Sequence, residues 1–187
     1  MRTQVDHAAE LQWVRQAQAG DRQAFAALVD GYWPRLNRWL FGLTGNTHSA
    51  EDLTQEAFLK AWAALPHFQG TGFRAWLFRI ANNSLIDSRR GPRGAKTEQL
   101  PESVTTREPG PVAVILSREG QTVVQQACER LPTKLRAAFL LRTQEELSFE
   151  EIAQVLEVTE ETVRWRVFKA RHLLLNELKG YLDDKQS

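Results

Sequence analysis

The sequence predicts an all-α protein of two small helical domains joined by a flexible linker. Apolar residues recur at helical spacing behind recognisable cap residues on both sides of the chain. Aromatic residues split into two groups: twelve lie between Trp13 and Phe78, none between Arg79 and Ala138, and five follow. Pro92, Pro101, Pro109 and Pro111, with Gly91, Gly94 and Gly110, fall in the gap, so 91–111 is a poor candidate for a packed element. The expected organisation is a first domain over 1–90, a linker over 91–111 and a second domain over 112–187. A tether of about 20 residues spans roughly 25 Å on average and about 70 Å at full stretch, so the domains can dock at separated places.

In the first domain a helix is expected near Ala8 to Ala19, with Gly20 and Asp21 supplying a stop and a new start. A long helix then runs from Arg22 towards Leu43, with Pro34 as a bending point. Ser49 with Asp52 is expected to cap the next helix, Ala50 to about Leu65, which Pro66 ends. On its wheel Leu53, Ala57, Phe58, Ala61, Trp62 and Leu65 take the buried side, and Asp52, Gln55, Glu56 and Leu59 form an outward strip. A leucine among acids suits a partner helix, whereas a plain solvated face is the default for such a strip.

A loop, Pro66 to Gly72, precedes the last helix of the domain, Phe73 to Arg90. Phe73, Trp76, Leu77, Ile80 and Ala81 are expected on one side, with Arg79, Asn82, Asn83 and Ile86 on the other and Arg89 and Arg90 at the end. Amides, cations and rings beside a loop can hydrogen-bond and stack on unpaired bases, because an extruded base exposes both its pairing edge and its π-face. Packing alone is the competing explanation for the rings.

In the second domain Val112 to Arg130 reads as helical. Ser148 followed by Glu151 is a capping box, hydroxyl and carboxylate each satisfying a backbone N–H at a helix start. Phe149, Ile152, Ala153 and Leu156 continue at helical spacing until Glu157, Val158 and Thr159 interrupt them. Thr159 then caps a second helix whose first turn carries Glu160 and Glu161, favourable at a positive dipole end. Two helices meeting at so short a turn cross steeply.

On the second helix Val163, Val167, Ala170 and Leu174 form the face to be buried, and Trp165, Phe168, Lys169 and His172 point outward. Arg164, Arg166 and Arg171 flank that outward face, within reach of phosphates on either wall of a major groove. The chain as a whole is nearly balanced, with 24 basic and 23 acidic residues, so these cations are segregated onto one helix.

At 187 residues and 42% hydrophobic content the chain supports one ordinary domain or two small ones. Cys128 stands alone, which excludes a disulfide framework and a cysteine zinc cluster. The opening MRTQVDHAAELQWV lacks the apolar core of a signal peptide, and no apolar run approaches the roughly 20 residues that span a bilayer. A cytoplasmic protein is expected. His7, His48, His67 and His172 are scattered and there is no glycine-rich phosphate loop, so neither catalysis nor a cofactor is expected. A stand-alone helix-turn-helix regulator accounts for the second domain alone.

Four segments carry a resemblance. AEDLTQEAFLKAW (Ala50 to Trp62), FRAWLFRIANNSLIDSRR (Phe73 to Arg90), LPTKLRAAFLLR (Leu131 to Arg142) and SFEEIAQVLEVTEETVRWRVFKAR (Ser148 to Arg171) look like the core-binding, melting and promoter-recognition segments of the extracytoplasmic-function sigma factors of the sigma-70 family. QAGDRQAFAALVDGYW (Gln18 to Trp33) is similar to their first conserved helix, and the segments occur in the family's order. The resemblance implies a factor that binds core RNA polymerase, through the beta-prime clamp helices and the beta subunit, and recognises and melts promoter DNA under the control of an anti-sigma factor. Asp52, Gln55, Glu56 and Leu59 would meet the clamp helices. Asn83 and the Pro66 to Gly72 loop would hold a flipped non-template base, with Arg79, Asn82 and Arg90 along the same strand and Trp76 bracing the melted edge. Arg164, Trp165, Arg166, Phe168, Lys169 and Arg171 would read or clamp the upstream element as duplex. The chain departs from the family in having Trp165 where a small residue is usual and Glu157 where a glycine often opens the turn. Its loop before Phe73 is also about one residue shorter.

Overall fold

A computed structural model of the chain describes residues 7–70, 72–89 and 126–184. Every regular element among them is helical, and the chain divides into two compact units. The first is built on α1 (His7–Gln18), α2 (Arg22–Thr44), α3 (Thr47–Ala64), a one-turn 3-10 helix (Leu65–His67) and α4 (Phe73–Arg89). The second is built on a helical segment at 126–130, α5 (Thr133–Thr143), α6 (Phe149–Leu156) and α7 (Glu160–Asp184). The expected boundaries at 90 and 112, and residues 112–125 of the helix expected from Val112, lie outside the described residues.

Backbone chemistry sets the joints of the first unit. Gly20 takes a φ of 94°, and the Asp21 carboxylate accepts from the N–H groups of Gln23 and Ala24 at 2.8 and 3.2 Å, which starts α2. Helix α2 runs on through Pro34 without interruption. It ends at Gly45, where a φ of 65° lets the N–H bond back to the Phe41 carbonyl at 2.8 Å.

Helix α3 begins three residues before the expected start. Its cap is Asn46, whose side chain accepts from the Ser49 N–H at 2.9 Å. Asn caps as well as Ser, and with Gly45 ending α2 there is no room for a longer connection. Ser49 therefore sits inside the first turn. Pro66 lies within the 3-10 turn that follows α3, tightening the chain after the helix has ended.

The core of this unit is the face shared by α2, α3 and α4: Leu28, Leu36, Leu40, Ala57, Ala61, Leu77 and Phe78. Each buried leucine or phenylalanine contributes about 1.5–3 kcal/mol. Trp39 meets Phe78 at 5.4 Å and Tyr32 meets Phe73 at 5.5 Å between ring centres, which locks α4 onto α2. Polar pins set the register: Arg89 donates to the Leu43 carbonyl at 3.0 Å, Lys60 to the Ser84 hydroxyl at 2.9 Å, and the Tyr32 hydroxyl to the Glu10 carboxylate.

In the second unit the capping box forms as expected. Ser148 Oγ accepts from the Glu151 N–H at 3.1 Å and Glu151 Oε2 from the Ser148 N–H at 2.7 Å. Glu157 adopts the left-handed conformation, φ 54° and ψ 49°, and Thr159 Oγ1 accepts from the Thr162 N–H at 3.2 Å to start α7. Val163, Val167, Ala170 and Leu174 are buried, as their spacing predicts. Ile152 and Val155 of α6 are buried with them, and Leu135, Ala138 and Leu141 supply the inner face of α5.

Candidate nucleic-acid interface

Asp52, Gln55, Glu56 and Leu59 are all exposed along one strip of α3. Leu59 is 64% exposed, an unusual position for so apolar a side chain. Glu56 pairs with Lys60 at 2.6 Å, while the Asp52 carboxylate lies 3.7 Å from the His48 ring nitrogen. Beside the strip is an open groove of about 330 Å³ lined by Arg22, Phe25, Trp33, Gln55, Phe58, Leu59 and Trp62. Its rings form a cluster: Phe25 with Trp62 at 4.8 Å, Phe25 with Phe58 at 6.3 Å, and Trp33 stacked on Phe58 at 5.9 Å. The α3 wheel reveals one wall of this groove. The other, from α2, is visible only when the helices are paired, and Trp62, expected to be core, is half-buried at its edge.

On α4, Trp76, expected on the opposite side, instead shares one stripe with Arg79, Asn83 and Ile86, because residues three and seven apart lie on one helix face. Arg79 and Ile86 are exposed, Trp76 and Asn83 half-buried. Trp76 is braced by Phe68 at 4.7 Å and Phe73 at 5.6 Å. Asn82, expected to face outward, is buried at 6% exposure. The reason is that α4 packs against both α2 and α3. Its buried arc is therefore wide enough to take in Ala75, Phe78, Asn82 and Leu85, which follow one another at helical spacing. Asn82 faces the protein, so any contact it makes with a nucleic acid strand needs a local shift. Arg90 lies outside the described residues.

The turn before α4 is held by a residue that the sequence did not single out. Gln18, at the end of α1, donates its Nε2 hydrogens to the carbonyls of Leu65 at 3.2 Å and Phe68 at 2.7 Å. These partners are 47 and 50 residues away, so no local motif announces them.

On α7, Arg164 and Lys169 are exposed, and Arg166, Phe168 and Arg171 are half-buried. Arg164 donates to Glu160 at 3.1 Å and lies over the Phe149 ring at 4.5 Å. The Phe168 ring is 6.5 Å from that of His172. Trp165 departs from the expected outward orientation. It is half-buried and packs on the cluster of Ala127, Leu131, Leu135, Ala170 and Leu174. Ala127, Leu131 and Leu135 of that cluster lie outside the helix-turn-helix, and the α6–α7 pattern alone cannot reveal them. Among the described residues no three His, Cys, Asp or Glu side chains are grouped to hold a metal ion, and no helix is long and apolar enough to cross a membrane.

Residues 28–94 match the family model for Sigma-70 region 2, and residues 121–174 that for Sigma-70, region 4. The chain is 33% identical over 177 residues to the ECF RNA polymerase sigma factor SigW of Bacillus subtilis, covering 89% of this chain and 95% of that protein. It is 34% identical over 177 residues to the ECF RNA polymerase sigma-E factor of Escherichia coli, covering 89% and 92%. Among solved structures, CnrH in complex with the cytosolic domain of CnrY is similar with a TM-score of 0.68 at 26% identity, covering 92% of this chain and 98% of that one. The sigma factor RpoE in complex with the anti-sigma factor NepR from Bartonella quintana is similar with a TM-score of 0.63 at 26% identity, covering 83% and 96%.

Proposed function

This chain belongs to the extracytoplasmic-function sigma factors of the sigma-70 family, and from that premise we propose that its two helical units divide promoter recognition between opened and duplex DNA. As a sigma factor it binds core RNA polymerase and directs it to promoters. The observation that carries the division is the sorting of surface chemistry: carboxylates around an exposed Leu59 on α3, an arginine and an amide on the Trp76 stripe of α4, and cations on α7.

In this reading Asp52, Gln55, Glu56 and Leu59 dock on the beta-prime clamp helices, the carboxylates and amide offering polar contacts and the protruding Leu59 an apolar one. Asn83 and the turn before α4 hold a flipped base of the non-template strand, with Arg79 along its backbone and Trp76 at the melted edge. Arg164, Arg166, Lys169 and Arg171 meet the upstream element as duplex, bridging phosphates and base edges, with Phe168 beside them. Trp165 contributes by bracing α7 from behind. An anti-sigma protein is the expected regulator, since the similar sigma factor RpoE was captured with the anti-sigma factor NepR. The factor performs no chemistry of its own and works in the cytoplasm with the polymerase it directs.

Energetics favours a shared task. Opening DNA costs roughly 1.4 kcal/mol per stacked step. A chain of net charge +1 neutralises few phosphates by itself and gains little from counterion release. The isolated chain should therefore bind promoter fragments feebly, and the chain with core polymerase tightly and specifically. Run-off transcription with core enzyme on genomic fragments tests this. Asn83→Ala should impair open-complex formation more than duplex docking, and Arg164→Ala the reverse; matching defects at both stages would remove the proposed division.

A further inference from the structure

We propose that Gln18 is a positioning residue for base capture: its side-chain amide fixes the backbone of the turn that precedes α4. This rests on the reading that the turn and Asn83 hold an extruded base. A carboxamide nitrogen carries two hydrogens, and Gln18 directs them to two carbonyls three residues apart, Leu65 at 3.2 Å and Phe68 at 2.7 Å. The Leu65 carbonyl also accepts from the Phe68 N–H at 3.0 Å, so Gln18 closes the 3-10 turn from outside. Helix α1, which packs on both α2 and this turn, thus holds a segment that has only one turn of regular structure.

The fixed backbone aims a side chain. The Phe68 ring lies 4.7 Å from Trp76 and 6.2 Å from Phe73, so the turn is registered against the first residues of α4, on the stripe that continues to Arg79 and Asn83. Gly70 packs on the same ring: a Cβ there would stand 3.2 Å from Phe68 Cε2 and 3.3 Å from Cζ. Backbone and ring are therefore ordered before DNA arrives, and a base entering the site meets a pocket whose ordering entropy has already been spent. A turn held only by its own residues would have to order on binding and would discriminate bases less well.

The test uses the full chain in holoenzyme with core polymerase, on a promoter recovered by run-off selection. Gln18→Glu keeps the shape but removes both N–H donors, and Gln18→Arg keeps donors. The readouts are affinity for a forked fragment whose non-template strand is unpaired, with each base present or abasic in turn, and amide exchange over 65–70. Gln18→Glu should exchange faster at 65–70, lose about tenfold in forked-fragment affinity and flatten the ratio of natural to abasic fragments. Binding of the upstream duplex should stay unchanged, and Gln18→Arg should recover part of the ratio. If Gln18→Glu does not fold, Gln18→Asn, too short to reach both carbonyls, takes its place with the same expected outcome. An unchanged ratio in a folded variant, or unchanged exchange at 65–70, overturns the role of Gln18 while leaving base capture intact. A wild-type holoenzyme indifferent to abasic substitution, with Asn83→Ala equally indifferent, removes base capture itself and this inference with it.

Discussion

The guanidinium carbon of Arg164 lies 4.5 Å from the centre of the Phe149 ring, so the leading cation of α7 rests on the first residue of α6. The same ring receives Arg142 at 5.2 Å, and Arg142 in turn donates to the Leu147 carbonyl at 3.0 Å, one residue before the α6 cap. Glu160 holds Arg164 from its own helix at 3.1 Å. Arg164 is exposed yet restrained, and less rotamer freedom is lost when it meets DNA.

Phe149→Leu should therefore weaken holoenzyme binding to the upstream duplex by roughly two- to fivefold, the equivalent of a cation–π contact of about 0.5–1 kcal/mol. Phe149→Tyr should bind like the wild type. In an Arg164→Ala background the Phe149→Leu change should have no further effect on DNA affinity, a coupling that a double-mutant cycle on fragment binding measures.

Glu157 holds the turn between α6 and α7 in a conformation that an L-residue with a side chain adopts at a cost of about 1–2 kcal/mol. Glu157→Gly relieves that strain, while the added freedom of glycine in the unfolded chain returns part of it. The expected net gain is about 0.5–1 kcal/mol, read as a higher urea midpoint for the second unit, with DNA affinity unchanged because residue 157 lies outside the cationic face.

Tyr32 is 1% exposed, and burial, reinforced by its hydrogen bond to Glu10, pushes the phenol far above its ordinary range. The folded chain keeps this proton at pH values where the unfolded chain, titrating near roughly pH 10, has lost it. Unfolding then releases a proton, so stability should fall as pH rises above about 10, with no contribution to the slope below that. Tyr32→Phe should cost about 1–3 kcal/mol at pH 7, where Glu10 loses a donor in a buried place. Above pH 10 the two proteins should converge. Urea unfolding between pH 7 and 11 measures the gap.

What was legible in the sequence was what neighbours in the chain determine. The Ser148–Glu151 box, the Thr159 cap, the buried stripe from Val163 to Leu174 and the exposed strip from Asp52 to Leu59 depend on residues within about three helical turns of one another, and each is found as read. The start of α3 was misread because Asn46 and Ser49 are both competent caps, and the choice fell to the Gly45 turn. Asn82 and Trp165 were misplaced for a different reason. Each sits on a helix contacted from two sides, and a wheel drawn for one partner makes the buried arc too narrow. Gln18 and the α2 wall of the aromatic groove carried no local signal, since their partners lie tens of residues away.

Leu59 offers the clearest separation of folding from function. At 64% exposure it contributes little to the core, so Leu59→Asp should leave the urea midpoint within about 0.5 kcal/mol of the wild type. Its side chain nevertheless stands at the rim of the Phe25, Trp33, Phe58 and Trp62 groove, where a clamp helix laid on the strip would cover it. Covering a leucine contributes about 1.5 kcal/mol or more, and placing a carboxylate under the same helix adds a desolvation cost. Affinity for core polymerase should thus fall by at least about tenfold, measured by titrating labelled factor with core enzyme. Run-off transcription should drop in parallel and recover when factor is supplied in excess, because the DNA-facing residues of α4 and α7 are untouched. A variant that binds core normally but transcribes poorly would move Leu59 from the polymerase surface to a later step.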